Sequence, residues 1–184
     1  DKIIPEVVHR YFAASLGLLA IALLIISFKE RKLLLTSSFL LLVIICQGIF
    51  GYLTVSLKLH PLIVTGHLFG AMLTTALFLI IFLKTVDFKG SYKKLHNNRA
   101  LLSLGFIFLL GQLFLGAWTS TNYAARACLD LPYCQGELLP EVNFAEGFNL
   151  FQTFGPNYLF GHMSNEARVA IHLTHRIGAI VVFI

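Results

Sequence analysis

A few residues in this chain stand where chemistry has a use for them and hydrocarbon does not. They are Glu6, His9 and Arg10 in "PEVVHRY", His67 in "TGHLFG", and His172, His175 and Arg176 in "IHLTHRI". Each group opens or interrupts an apolar run. A charged side chain at mid-span costs about 2.5–3.5 kcal/mol, and ionisable groups kept in membrane segments are mostly functional. A single histidine there is explained equally well by a hydrogen bond to a carbonyl or hydroxyl across a bundle. Three of them, His9, His67 and His175, at similar depth on three runs, call for a shared purpose. Zinc would want about four ligands close together, with Cys or carboxylate among them. Single histidines from separate helices suit the two axial positions of a haem iron instead, and His9 and His67 form one such pair. A proton relay through Glu6 and the histidines is a third use.

The spacing adds detail. Glu6 precedes His9 by three residues and so lies on the same helical face, one turn outward. His172 stands in the same relation to His175, so the pattern Glu/His-x-x-His-Arg occurs twice, which points to an internal duplication. His172 is therefore a candidate for support of His175. Arg10 and Arg176 project about 100° away from their neighbouring histidines. Two uses fit them: pairing with haem propionates, which suit a planar cation, and snorkelling to lipid headgroups. Gly66 and Gly70 give a G-x-x-x-G spacing around His67, which serves close approach of a flat ligand or of another helix.

Those residues need elements to hold them. The chain has 184 residues, 57% hydrophobic and only 12% charged, with mean hydropathy +0.79. Soluble domains carry about twice that charged fraction, so the class is an all-α polytopic membrane protein. The net charge of +5 belongs to loop topology and gives no reason to invoke nucleic acid. Five runs reach the length of about 20 residues that a spanning helix needs: about 7–28, 33–57, 61–83, 100–122 and 166–184. Barrel strands would be shorter and would alternate.

Lys29, Arg31 and Lys32 sit between the first two runs, and Lys84, Lys89, Lys93, Lys94 and Arg99 between the third and fourth. The positive-inside rule puts loops 29–32 and 84–99 in the cytoplasm and the long segment 123–165 outside. Texture such as "FAEGFNLFQTFGPNY" is unlike a flexible linker, and a loop this long is usually functional. It is expected to pack over the outer ends of the helices. His96 and His162 read as solvated loop residues, and His60 in "KLHPL" as an interfacial turn residue.

Three cysteines remain. Cys46 reads as an inert core residue. Cys128 and Cys134 bracket "LDLPY" in the outer loop. There a disulfide is permitted, and closing so short a ring would contribute about 2 kcal/mol on the entropic account. A redox-active pair is the other use. The chain begins at Asp1 and stops inside "VVFI", so it reads as a piece of a longer protein.

Taken together, these stretches resemble the haem A synthase family, in its bacterial form. "EVVHRYFAASLGLL", "QGIFGYLTVSLKLHPLIVTGHL", "GQLFLGAWTSTNYAARACLDLPYCQG", "NFAEGFNLFQTFGPNY" and "ARVAIHLTHRIGA" look like successive parts of it, in order, over essentially the whole chain. The resemblance implies a bundle of two pseudo-repeated four-helix halves, of which this chain would supply helices two to six of eight. Residues 1–98 would be the N-terminal half without its first helix, and 99–184, including loop 123–165, the C-terminal half without its last two. It implies that His9 and His67 hold the substrate haem O, that Glu6 is the acidic residue the reaction needs, and that His175 is one axial ligand of haem b, its partner lying beyond Ile184. Cys128 and Cys134 would be the outer-loop disulfide.

The implied activity is oxidation of the C8 methyl group of haem O to a formyl group by successive hydroxylations, in the bacterial plasma membrane, for terminal oxidase assembly. Haem O, membrane lipid, haem O synthase and cytochrome oxidase assembly factors are the implied partners, with a homo-oligomer as a further one. The competing reading is an electron-transfer cytochrome b subunit, which explains the histidines equally well but leaves Glu6 without a role.

Overall fold

The computed structural model describes residues 3–86 and 98–184. Lys89, Lys93, Lys94 and His96, expected in a cytoplasmic loop, lie outside the described residues. The helices are α1 (Ile3–Ser27), α2 (Arg31–Ser56), α3 (Pro61–Thr85), α4 (Arg99–Thr121), a single 3₁₀ turn (Ala124–Arg126), α5 (Phe144–Gly147) and α6 (Asn165–Phe183). The all-α polytopic architecture is as expected, and the long helices fall within a few residues of the apolar runs. Four of them, α1 to α4, are long and apolar enough to cross a membrane. The fifth run is different. α6 is helical over 19 residues but carries Glu166, Arg168, His172, His175 and Arg176, which hold it below the hydropathy of the other four.

The chain forms two compact units. One comprises Asp1–Leu53 with His67–Gly90, the other Thr54–Gly66 with Ser91–Ile184. In the first unit, α2 buries Leu33, Ser37, Leu40 and Val43, a stripe at steps of three and four residues, as one face of a helix requires. Leu40 and Val43 meet Ala20 of α1 and Leu77 and Ile81 of α3 in a small core. Polar clasps join the helices where the chain turns. The Ser27 hydroxyl donates to the Leu23 carbonyl at 2.6 Å and lies 2.8 Å from the Ser37 hydroxyl, so Ser37 is the donor between them. Lys84 Nζ donates to Thr36 Oγ1 at 2.7 Å.

In the second unit α4 packs along α6. Trp118, Ala124, Met163, Ala167 and Ile171 form the core. Trp118 is wholly buried, and its indole N–H is satisfied by the Gly147 carbonyl at 2.8 Å. Gly147 itself must lack a side chain, because a Cβ there would stand 2.8 Å from the Ala167 carbonyl oxygen. α5 and α6 can therefore touch backbone to backbone. The start of α6 is fixed by Ser164, whose hydroxyl caps the Ala167 N–H at 3.2 Å. Glu146 accepts from both the backbone N–H and the hydroxyl of Ser164, at 2.8 and 2.7 Å. Those bonds hold its carboxyl below the usual range, the backbone N–H of Ser164 being the largest cause.

The long loop is ordered by named contacts. Tyr158 N–H donates to the Lys58 carbonyl at 3.0 Å, and Gln152 O lies 3.1 Å from His60 Nε2. His60 stacks on Phe154 with centroids 4.5 Å apart. His60 is only 1% exposed, which corrects its expected interfacial placement: segment 152–158 covers the α2–α3 turn. His162 is exposed, as expected, with its Nε2 against the Asn157 carbonyl. Cys46 is exposed on α2, contrary to its reading as a core residue; its side of the helix faces away from α1 and α3.

Candidate functional site

α1 carries Glu6, His9 and Arg10 on its first turns. The rings of His9 and His67 face each other across the first unit, centroids 6.4 Å apart and planes at 85°. Two imidazoles sharing one metal, each with a metal–nitrogen bond of about 2 Å, put their centroids about 6 Å apart. The spacing fits two axial ligands of one haem iron. His67 Nδ1 is buried and has no hydrogen-bond partner. Among the described residues no three His, Cys, Asp or Glu side chains converge on one point. Among the described residues the donors here are a facing pair, which differs from the four-ligand cage of a structural zinc site.

Glu6 and Arg10 form an ion pair one helical turn apart, Arg10 Nη2 standing 2.6 Å from Glu6 Oε1. Both side chains are exposed. Glu6 thus shares a helical face with His9 while being held by Arg10. An exposed pair of this kind contributes little stability, so its interest lies in where it places a carboxyl group.

The second unit places His175 and His172 on α6. His175 Nδ1 lies 3.0 Å from Gln112 Nε2 of α4. His172 Nδ1 accepts from the backbone N–H of Cys128 at 3.2 Å, so it supports the outer loop directly. Arg176 does the same from the next turn. Its Nη1 donates to the Asp130 and Tyr133 carbonyls at 2.9 and 3.0 Å, and its Nη2 to the Cys128 carbonyl at 2.7 Å. Both arginines expected near propionates have protein partners in this structure: Arg10 pairs with Glu6 through Nη2, and Arg176 holds three loop carbonyls.

Cys128 and Cys134 are joined in a disulfide with Cα atoms 4.5 Å apart. Both are buried against Val169 of α6. Asp130 lies inside the ring and accepts from the N–H groups of Gly136 and Gln135 at 2.8 and 3.0 Å. These bonds keep its carboxyl below the usual range, Gly136 first, with the Arg176 charge contributing last. The ring, Asp130 and Arg176 thus form one network against the side of α6.

Sequence reasoning passed over Gln47 and Gln112. Each sends its side-chain amide to a histidine on the neighbouring helix. The signal available was a Gln-x-x-x-Gly spacing present in both α2 and α4, as "QGIFG" and "QLFLG".

Fold and hydropathy together define a class: a polytopic helical membrane protein, here with two histidine rings facing each other in its first unit. The chain matches the cytochrome oxidase assembly protein family, COX15-CtaA, over residues 1–184 and belongs to it. It is 38% identical over 187 residues to the heme A synthase of Shewanella oneidensis, covering 98% of this chain and 56% of that protein. The chain therefore spans little more than half the length of that relative. No solved structure matches it.

Proposed function

We propose that this chain carries the substrate site, and part of a second haem site, of a haem A synthase. The enzyme is an oxidoreductase that converts the C8 methyl group of haem O to a formyl group. The observation that supports this best is the facing of His9 and His67 at 6.4 Å in a chain of this family. On this reading residues 1–98 form the substrate half, with haem O between His9 and His67. Residues 99–184 form the second half, in which His175 would help hold haem b.

Four electrons and two hydroxylations take a methyl to a gem-diol, and loss of water leaves the aldehyde. Side chains cannot supply that oxidation; the second haem, when bound, would relay the electrons one at a time to an acceptor outside this chain. The protein's own part is placement and proton handling. His9 and His67 would fix the plane of the substrate, and a propionate partner such as Arg10 would then set which ring edge meets Glu6. Glu6, one turn above His9, offers a carboxyl group that holds or releases a proton beside that edge. A propionate reaching Arg10 would compete with Glu6 for the guanidinium, which couples substrate seating to the state of the Glu6 carboxyl. His172 supports His175 from the next turn through its hold on the loop at Cys128.

The basic residues at 29–32 and 84–99 support a cytoplasmic location for those loops. The Cys128–Cys134 disulfide is consistent with an oxidising compartment for 123–165. Both suit a bacterial plasma membrane, where haem O synthase and oxidase assembly factors would be the partners and a homo-oligomer the assembly.

The test is product formation. The full-length protein that contains this chain is expressed in a host that makes haem O and no haem A, and the pigments are extracted. Appearance of haem A is the expected result. A protein that binds haem and leaves haem O unchanged would be an electron-transfer cytochrome and would overturn the proposal.

A further inference from the structure

His67 and His175 lie in different units, yet the same four-residue device holds each of them. In the first unit the Gln47 amide Nε2 donates to the His67 carbonyl at 2.8 Å. Four residues on, Gly51 faces the His67 ring, where a Cβ would come within 3.5 Å of Cε1 and 4.0 Å of Nε2. Three residues beyond His67, Gly70 leaves the room that the Gln47 amide occupies, and a Cβ there would collide with it. In the second unit Gln112 Nε2 donates to the His175 carbonyl at 3.0 Å. Gly116 faces that ring, with a Cβ position 3.3 Å from Cε1 and 3.8 Å from Nε2. Gly178 makes room for the Gln112 amide in the same way. Gln-x-x-x-Gly on one helix thus meets His-x-x-Gly on the next, twice.

We propose that Gln47 and Gln112 are positioning residues for two haem-ligating histidines, and that Gly51 and Gly116 are the clearances that admit the macrocycle. The proposal rests on the haem reading above. A carbonyl in mid-helix is already engaged by its own helix, so an extra donor from a neighbour fixes where that turn stands and with it the root of the imidazole. A partner that orients a metal-bound histidine typically matters by about 10–100-fold in affinity. The glycines act on the other side. A flat ring bound through Nε2 spreads sideways from that atom, and a methyl group 3.8–4.0 Å from Nε2 would stand in its path.

The two copies differ in one contact. Gln112 Nε2 also lies 3.0 Å from His175 Nδ1, while His67 Nδ1 has no partner. Iron ligation through Nε2 puts the proton on Nδ1, so haem binding would turn the Gln112 amide to present its unpartnered Oε1 to that N–H, and Gln112 then acts on the electronics of its histidine as well as on its place. Gln47 acts on place alone.

The experiment uses the full-length protein purified with its haems, and reads haem content, low-spin electron paramagnetic resonance and reduction potentials. Gln→Met keeps the length of the side chain and removes its donor. Q47M is expected to weaken one haem by about 10–100-fold and leave the other signal in place. Q112M is expected to move both the resonance and the potential of the other haem. Gly51→Ala and Gly116→Ala are each expected to empty one site in a protein with an unchanged helical circular dichroism spectrum. Full loading of all four variants, with unmoved spectra and potentials, would overturn the cradle. So would an equal effect of each variant on both haems. An unsubstituted protein that holds no haem would instead remove the haem reading itself.

Discussion

The His9 ring stands nearly perpendicular to the His67 ring at a centroid separation of 6.4 Å, though 58 residues of chain separate them. That pairing requires α1 and α3 to meet, and the small core of Ala20, Leu77 and Ile81 brings them together. On the proposed reading, removing either ring takes away one of the two residues that would hold haem O. His9→Ala and His67→Ala are each expected to lose the same haem, and His175→Ala to lose a different one. Pigment extraction and the absorption spectrum of the full-length variants check this. Loss of the same haem from all three would place the histidines at a single site.

Glu6 offers a cleaner separation of binding from chemistry. Its carboxyl lies one turn from His9 and pairs with Arg10 at 2.6 Å, on an exposed face where the pair contributes little to folding. Glu6→Gln keeps the shape and removes the charge and the proton site. The variant is expected to bind haem as the parent does and to stop forming the formyl product. Normal haem A output from it would remove Glu6 from the mechanism.

The long helices were readable because a run of about 20 apolar residues is a local property of the sequence. α2 and α3, Arg31–Ser56 and Pro61–Thr85, follow such runs almost residue by residue. α6 was readable as a helix, but its five charged and histidine side chains, of which His172, His175 and Arg176 meet the loop or α4, lower its hydropathy. What could not be read was non-local. His60 is buried because Phe154 and Gln152, more than ninety residues away, fold onto it. Arg176 looked free to meet a propionate, because nothing in "IHLTHRI" announces that three carbonyls of the Cys128–Tyr133 loop will surround it. Gln47 and Gln112 looked like isolated amides until their histidine partners were in place.

Arg176 makes the loop testable. Three charge-assisted hydrogen bonds converge from one guanidinium, and such bonds contribute about 1.5–3 kcal/mol each where they are not replaced by water. Arg176→Met keeps much of the packing and removes all three. The expected result is a loss of stability, up to about 4.5 kcal/mol at the low end of that range, seen as a lower melting temperature, and faster proteolysis within 123–165. Haem content should hold. Loss of haem with an unmoved loop would place the guanidinium at a propionate instead.

Glu146 gives the outer loop a pH dependence whose sign is fixed. Its carboxyl accepts from the N–H and hydroxyl of Ser164, and these bonds lower its pKa in the folded state. A carboxyl that is more acidic folded than unfolded favours folding once both states are ionised, above the ordinary Glu range. That contribution fades as pH falls from the unfolded pKa through the lowered folded one, because the unfolded chain takes up the proton first. Ser164 is also the cap of α6, so protonation there loosens the helix that carries His172 and His175. Stability of the full-length protein should therefore fall on acidification through the carboxylate range. Glu146→Gln, which cannot ionise, should start lower at neutral pH and lose less on acidification. Melting curves of both proteins across that range decide it, and parallel curves would show that the Glu146–Ser164 contact carries no net charge stabilisation.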